Sequence, residues 1–197
     1  MQIGVIGTGR VGSTLGRAWA ASGHELTFGS RNPTGAKVTA LVEEIPGTQA
    51  ASFADTLDAA EVVLLAVPST VVESVVAALH GWNGKIVLDA TNDLTDLASS
   101  SSEAVQRVAP GAHVVKAFNV IGVEAMARAQ EVPGATLPLA GNDDEAVAVA
   151  AQLARDAGFD PLHVGGLAQA ASLERLASVW IDWSRTLGRG FLWQVLL

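Results

Sequence analysis

Apolar residues recur along this chain in two alternating patterns. Short apolar runs bounded by turn residues are typical of buried strands, and apolar residues spaced three and four apart are typical of helices. Leu15, Ala18 and Trp19 show the helical spacing. The runs predict strands over residues 2–6, 25–29, 48–52, 61–67, 85–90, 113–118, 136–140 and 160–164. The helical stretches are 11–21, 34–44, 54–60, 70–80, 103–108, 120–130, 144–157 and a long one over 167–197.

Strands and helices that alternate from end to end predict an α/β fold with right-handed crossovers. Hydrophobic residues make up 49% of the chain, mostly Ala, Val and Leu, which suits a sheet covered on both faces. We therefore expect one domain over residues 1–197 with a doubly wound, mostly parallel sheet and a C-terminal helical segment over 167–197. The serine-rich segment 92–102 is predicted to be a mobile surface loop, with a lid over a ligand as the alternative.

A glycine-rich turn follows the first predicted strand. Gly7, Gly9 and Gly12 form the pattern G-x-G-x-x-G between a strand and a helix, which is typical of the phosphate turn of a Rossmann dinucleotide-binding domain. The first glycine permits the tight turn, the second leaves room for the pyrophosphate, and the third lets the helix approach the sheet. Backbone N–H groups at the start of the helix then face the phosphates.

The end of the second predicted strand distinguishes between the two nicotinamide dinucleotides. Domains that bind NAD have an Asp or Glu here, whose carboxylate bonds the ribose 2′-hydroxyl. This chain has Ser30 and Arg31 instead. A hydroxyl and a guanidinium bind a 2′-phosphate, which a carboxylate would repel. The sequence therefore predicts NADP, with Arg10 and Lys37 as further positive charges near it.

Three predicted strand ends carry the remaining candidate contacts, since ligands bind at the carboxyl edge of an open α/β sheet. They are residues 66–69, 89–92 and 116–119, and we expect Asp89 to cap the loop that follows it. No sequence pattern indicates a proton-transfer group, a nucleophile elbow or a metal site, so no catalytic side chain is predicted. Hydride transfer between two flat cofactors needs none and depends on positioning.

Charge and residue usage narrow the range of partners. The chain has 20 acidic residues against 12 Lys and Arg, a net charge of -8 and no Cys, which argues against nucleic-acid binding and excludes disulfides and thiolate metal sites. No apolar run reaches the roughly 20 residues of a membrane span and no signal peptide is evident, so we expect a cytoplasmic protein without membrane contact. Trp180, Trp183 and Trp193 fit a core helix or a homodimer interface.

Several segments resemble the family of NADPH-dependent reductases of the deazaflavin coenzyme F420 and their relatives. The resemblance extends over nearly the whole chain, through residues 7–12, 29–31, 67–68, 89–92, 115–119, 140–144 and 187–191. It implies hydride transfer between NADPH and the deazaflavin without a protein acid or base, and a homodimer formed in part through the C-terminal helix. Taken together, the motifs and the resemblance assign cofactor contacts to Gly7, Thr8, Gly9, Arg10, Val11, Gly12, Ser30, Arg31, Lys37, Val67, Pro68, Asn92, Ala117 and Asn119.

One part of the family pattern differs. Where F420 reductases have a histidine and a proline near the end of the sixth strand, this chain has Asn119 and Gly122. The sequence of its segment 116–119 is more similar to that of the cytosolic domains of six-transmembrane ferric reductases, which use NADPH and a flavin. The leading hypothesis is therefore an oxidoreductase with a deazaflavin or flavin acceptor. A dehydrogenase of a small carbonyl or imine and a non-catalytic NADP-binding module are the alternatives.

Overall fold

The computed structural model describes residues 1–196 and confirms the predicted alternation of strands and helices. The strands β1 to β8 are Gln2–Ile6, Glu25–Gly29, Thr48–Ala51, Val62–Leu65, Ile86–Asp89, His113–Lys116, Thr136–Gly141 and Asp160–His163. The helices α1 to α8 are Arg10–Ala21, Ala36–Glu44, Phe53–Ala59, Ser69–Ala77, Ser101–Val108, Val123–Met126, Asp144–Asp156 and Ala170–Leu187. Short 3₁₀ turns lie at Ala129–Glu131 and Leu167–Gln169.

These strands form a mostly parallel sheet in the order β3-β2-β1-β4-β5-β6-β7-β8. The strands β1 to β6 pair in parallel, β7 is antiparallel to β6, and β8 is parallel to β7. Because β2 lies on one side of β1 and β4 on the other, the chain changes direction across the sheet at this point. The carboxyl ends of β1 and β4 therefore form a topological switch point, which is where open α/β sheets bind their ligands. The predicted Rossmann-type α/β fold is confirmed.

Two apolar layers cover the two faces of the sheet. Along β4, Val62 and Leu64 pack into one layer, and Val63 and Leu65 pack into the other. This alternation follows from the two-residue period of a strand. All four side chains are buried, which explains why the strand is a continuous apolar run rather than an alternating one. Helices α1, α7 and α8 contribute to the first layer, and α4 and α5 to the second.

Two predicted helices are shorter in the structure. Helix α8 ends at Leu187 because Gly188 takes a φ of 81°, and residues 188–196 continue without regular structure. Leu197, which the prediction included, lies outside the described residues. The predicted helix 120–130 is reduced to α6 and a 3₁₀ turn, since the extended Gly122 precedes α6. No helix in residues 1–196 has both the length and the apolar character of a bilayer span.

The prediction of a surface loop over residues 92–102 is wrong at its C-terminal end. Helix α5 begins at Ser101, and Ser100 caps it through a reciprocal pair of hydrogen bonds with Glu103. Ser100, Ser101 and Ser102 are all buried, whereas residues 94–99 are exposed. The serines are polar but not solvated, because their hydroxyls bond charged groups inside the protein, as described below.

Candidate functional site

The glycine turn after β1 has the shape that a dinucleotide pyrophosphate requires. Gly7 has a φ of 117°, and a Cβ there would collide with the carbonyl oxygen of Ala66 in the loop after β4. A Cβ on Gly12 would collide with the Gly7 carbonyl oxygen. By contrast, a Cβ on Gly9 would have no atom within 4 Å. The fold itself therefore requires Gly7 and Gly12, and the open space at Gly9 is available to a ligand.

The N-terminus of α1 offers free backbone donors to that space. Gly9 is the N-cap and makes no side-chain capping bond, and the first backbone bond of the helix runs from Ser13 N to Gly9 O at 2.9 Å. The N–H groups of the first turn are therefore free of capping side chains, and the positive end of the helix dipole lies behind them. Thr8 and Val11 are half-buried in and beside the turn. These residues fit a bound pyrophosphate.

The residues predicted to bind the 2′-phosphate follow β2, next to the glycine turn. Ser30 Oγ accepts a hydrogen bond from Asn32 N at 3.1 Å, which leaves its own hydroxyl hydrogen available to a ligand. Arg31 is exposed and forms no ion pair within residues 1–196. Lys37, in the first turn of α2, lines a cleft together with Thr8. A hydroxyl donor and two free cations therefore lie on this side of the turn.

Arg10 is the one predicted cation that already has a partner. Its guanidinium lies 2.7 Å from Glu124 on α6, and the same carboxylate lies 3.1 Å from Arg189 in the C-terminal segment. The hydrogen bond from Arg10 is the main reason that the pKa of Glu124 lies below its ordinary value. In this structure Arg10 joins the phosphate turn to α6 and, through Glu124, to residues 188–196.

The other predicted contacts lie where β4, β5 and β6 end. Val67 is half-buried, and Pro68 is the N-cap of α4. Asn92 and Asn119 bond each other twice: Asn92 Nδ2 donates to Asn119 O at 2.9 Å, and Asn119 Nδ2 donates to Asn92 Oδ1 at 2.9 Å. We call these two residues the amide pair. Asn119 Oδ1 is buried and has no hydrogen-bond partner in residues 1–196, which is unusual for a buried acceptor.

A strained residue precedes Asn119. Phe118 has a φ of 61° and is the only residue other than glycine with a positive φ in residues 1–196. Its ring makes edge-to-face contacts with Trp19 at 5.7 Å and Phe159 at 6.2 Å, measured between ring centroids. This conformation is unfavourable for a side chain with a Cβ, so the packing of the ring must hold it. Such strain is concentrated at functional sites, and here it lies between Ala117 and Asn119.

Three charged side chains form a fully buried cluster directly beneath these strand ends. Lys116 Nζ lies 3.0 Å from Asp89 Oδ2 and 2.5 Å from Glu174 Oε1, and all three side chains have 0% exposure. Ser101 and Ser102 each donate a hydroxyl hydrogen bond to Asp89 Oδ2, at 2.9 and 2.7 Å. We call Asp89, Lys116 and Glu174 the buried charge cluster.

The predicted capping role of Asp89 is confirmed, because its Oδ1 accepts from Thr91 N at 2.9 Å. Burial alone would raise the pKa of Asp89. The Lys116 ammonium and the hydroxyls of Ser102 and Thr91 outweigh that effect and hold the pKa below its ordinary value. Asp89 is therefore an anion whose role in the structure exceeds that of a loop cap.

The sequence prediction missed this cluster. The sequence pattern predicts Lys116 only as a residue at a strand end, and it predicts no role for Glu174. A signal was present, because Glu174 lies four residues after Ala170 and three before Ala177, on the buried face of α8. A lysine at the end of the apolar strand His113–Lys116 was the second signal.

Gly122, the second departure from the family pattern, is in close contact with the C-terminal helix. A Cβ on Gly122 would lie 2.8 Å from Trp180 Cζ2 and 3.1 Å from Arg189 O. Trp180 is 2% exposed, stacks on Phe191 with ring centroids 5.0 Å apart, and has the Arg189 guanidinium over its ring. The indole of Trp180 therefore fills the space that a larger residue at 122 would need.

Comparisons with known proteins agree with this geometry. A family model described as "NADP oxidoreductase coenzyme F420-dependent" matches residues 2–93, which include the glycine turn, Ser30 and Arg31. The crystal structure of a putative F420-dependent NADP reductase from Arthrobacter sp. FB24 superposes with a TM-score of 0.89 at 30% sequence identity, with 100% of both chains covered.

Two further relatives differ in how much of their length this chain covers. The F420-dependent NADP reductase of Methanothermobacter thermautotrophicus is 29% identical over 205 residues, which is 92% of this chain and 88% of that protein. The metalloreductase STEAP3 of Rattus norvegicus is 29% identical over 180 residues, which is 89% of this chain. The chain spans only 36% of the length of that metalloreductase.

Proposed function

The chain belongs to the family of coenzyme F420-dependent NADP oxidoreductases, and we propose that it transfers a hydride between NADPH and a deazaflavin or flavin acceptor. Bound NADPH supplies the hydride. The protein holds the two rings at the carboxyl edge of the sheet, and such positioning contributes roughly 7–11 kcal/mol to lowering a barrier. The name of the F420-dependent NADP reductase relative supports F420 as the acceptor. The resemblance of residues 116–119 to the cytosolic domains of ferric reductases, noted in the sequence analysis, supports a flavin.

The state of the acidic groups at this edge of the sheet carries the proposal. Reduction of a carbonyl or an imine calls for a proton donor beside the substrate. Asp89 and Glu174 are sealed from any substrate by complete burial. Asp93 and Glu124 are more accessible, but hydrogen bonds from Thr95 and Arg10, respectively, hold their pKa values below the ordinary range. Both are anions at neutral pH, so neither can donate a proton there.

The residues around the glycine turn fit an NADP molecule in an extended pose. The free amides of the first turn of α1 would hold the pyrophosphate, and Ser30, Arg31 and Lys37 the 2′-phosphate. The loop after β4, with Val67 and Pro68, would flank the nicotinamide ring. Ala117 at the end of β6, a predicted contact, is 0% exposed in the core and would lie behind the surface that faces the ring. Asn119 Oδ1, which lacks a partner in residues 1–196, would accept a hydrogen bond from the nicotinamide carboxamide N–H.

An acceptor panel tests the proposal. The purified protein is mixed with NADPH and, in turn, F420, FMN, FAD, a small ketone and a cyclic imine, and loss of the NADPH absorbance is followed. We expect oxidation with at least one of the first three acceptors and faster turnover with NADPH than with NADH. The control is Gly9→Val, whose Cβ has no atom of the fold within 4 Å and whose side chain would occupy the proposed pyrophosphate position. It should remain folded and inactive.

Two outcomes would contradict the proposal and support its alternatives. Oxidation of NADPH by the imine or ketone alone would indicate a dehydrogenase. Tight NADPH binding without turnover by any acceptor would indicate a cofactor-binding module.

A further inference from the structure

Glu174 and Lys116 have no chemical step to perform in the proposed reaction, yet they lie buried against the loop that carries Asn92, one member of the amide pair. We propose that both are positioning residues for the nicotinamide end of the cofactor. They fix the loop of residues 91–93, and through Asn92 they orient Asn119 so that its Oδ1 meets the nicotinamide carboxamide. The inference rests on NADP binding and does not depend on the identity of the acceptor.

The buried charge cluster holds the loop of residues 91–93 on both sides of Asn92. Lys116 Nζ donates to Thr91 O at 2.5 Å, and Glu174 Oε2 accepts from Asp93 N at 2.8 Å. Asp89 Oδ1 bonds the N–H and the hydroxyl of Thr91 at 2.9 and 2.7 Å. Because the residues on either side of Asn92 are fixed by buried charged partners, its backbone cannot move independently of the cluster.

The two amides of the amide pair have a defined orientation. Asn92 Nδ2 donates to the backbone carbonyl of Asn119, and Asn92 Oδ1 faces the side chain of Asn119. Asn119 Nδ2 donates to that oxygen, which turns its own Oδ1 away. Asn119 is 5% exposed, and this Oδ1 is the buried acceptor without a partner. A ligand that donates an N–H or O–H group would satisfy this acceptor, and a primary carboxamide is such a donor.

The side chains that lie beneath the loop are charged rather than apolar. Apolar residues of similar volume are often as stabilising as a buried ion pair, or more so. The burial of one ammonium and two carboxylates is therefore not explained by stability alone. Ionic groups that each make several hydrogen bonds impose a definite geometry: besides its ion pair with Lys116, Glu174 accepts from Ser101 N at 2.9 Å and from Asp93 N at 2.8 Å. Helix α8 thereby becomes part of the support for the site.

The test compares two ligands that differ in the nicotinamide half. Glu174→Gln is titrated with NADPH and with 2′-phospho-ADP-ribose, which has the 2′-phosphate and pyrophosphate but no nicotinamide. We expect the Kd for NADPH to rise about five- to tenfold, the loss of roughly one hydrogen bond, and the Kd for 2′-phospho-ADP-ribose to stay within about twofold. Asn119→Ala should give the same split. Asp182→Asn, an acid on the exposed side of α8 that pairs with Arg185, is the matched control and should change neither Kd.

A double mutant separates positioning from general damage to the fold. If Glu174 acts through Asn119, Glu174→Gln combined with Asn119→Ala should bind NADPH no more weakly than Asn119→Ala alone, because both remove the same contact. Equal weakening of both ligands in Glu174→Gln, no weakening of either, or additive losses in the double mutant would overturn the inference.

If Glu174→Gln does not fold, as judged by circular dichroism, Asn92→Ser tests the same path, and the same split between ligands is expected. Because no acceptor is present, a failure of the hydride-transfer proposal leaves this experiment intact. Failure of the wild-type protein to bind either ligand would instead refute NADP binding itself.

Discussion

Arg31→Ala is the sharpest test of cofactor choice, since it removes the one guanidinium at the end of β2. The side chain is exposed and forms no ion pair within residues 1–196. Its loss should therefore change the free energy of unfolding by no more than about 0.5 kcal/mol. Any effect on cofactor binding can then be attributed to the lost contact with the ligand.

The size of that effect follows from the contact expected with the 2′-phosphate. A hydrogen bond to a charged group contributes about 1.5–3 kcal/mol, and solvent around an exposed arginine favours the lower end. A loss of about 1.5–2 kcal/mol corresponds to a rise of roughly ten- to thirtyfold in the Kd for NADPH. NADH lacks the 2′-phosphate, so its Kd should not change. Ser30 and Lys37 remain in place and should preserve a residual preference for NADPH.

Both Kd values are measured by titration at one fixed, low salt concentration, because the contact is electrostatic. Arg107→Ala is the control, since it removes the same charge from an exposed ion pair with Glu73 that joins α5 to α4. It should leave the preference for NADPH over NADH unchanged. An unchanged preference in Arg31→Ala would refute the assignment of Arg31 and, with it, the argument that a guanidinium in place of a carboxylate selects NADP.

Three further predictions concern the turn, the buried cluster and the C-terminal helix. Gly9→Ala should fold normally, because its Cβ meets open space, yet weaken NADPH binding at least about tenfold by displacing the pyrophosphate; equal binding would contradict the assigned pose. The folded-state pKa of Asp89 is lowered, so its carboxylate stabilises the fold fully at a pH above the ordinary pKa of about 4. This contribution is lost as the pH falls from there through the lowered folded-state pKa. Denaturation of the wild type and of Asp89→Asn should therefore show a gap in stability that is largest near neutral pH and shrinks in acid; a constant gap would contradict this. Trp183 and Leu187 are 50% and 62% exposed on α8, so we expect light scattering to find a dimer of the 20.2 kDa chain that Trp183→Glu dissociates; a monomeric wild type would refute the dimer.

The fold could be predicted because each element carries its own local pattern. The strand Val62–Leu65 is buried on both sides and therefore is uniformly apolar, and turn residues separate it from the helices on either side. The errors occur where tertiary contacts decide the boundary. Gly188 ends α8 through its backbone conformation although apolar residues continue beyond it, and Ser101 and Ser102 enter the core because Asp89 accepts their hydrogen bonds.

The adenine half of the candidate site could be predicted for the same reason, since Gly7, Gly9, Ser30 and Arg31 act through short segments of chain. The charge cluster could not be predicted in this way. Lys116 and Glu174 are 58 residues apart in sequence, and only the packing of α8 against the sheet brings them together. No short motif can encode a contact of that kind.

The same difference explains why cofactor choice is easier to infer than acceptor choice. The family pattern has a proline at the place of Gly122, and in this structure residue 122 is in close contact with Trp180. Any Cβ at 122 would press on Trp180, which the stacked ring of Phe191 and the guanidinium of Arg189 hold in place. A Cβ at residue 122 and this position of the Trp180 indole are therefore incompatible, although the two residues lie on segments far apart in the chain. If the proposed acceptor binds at the end of β6, we expect its specificity to depend on α8 and residues 188–196 as well, because these segments pack against Gly122.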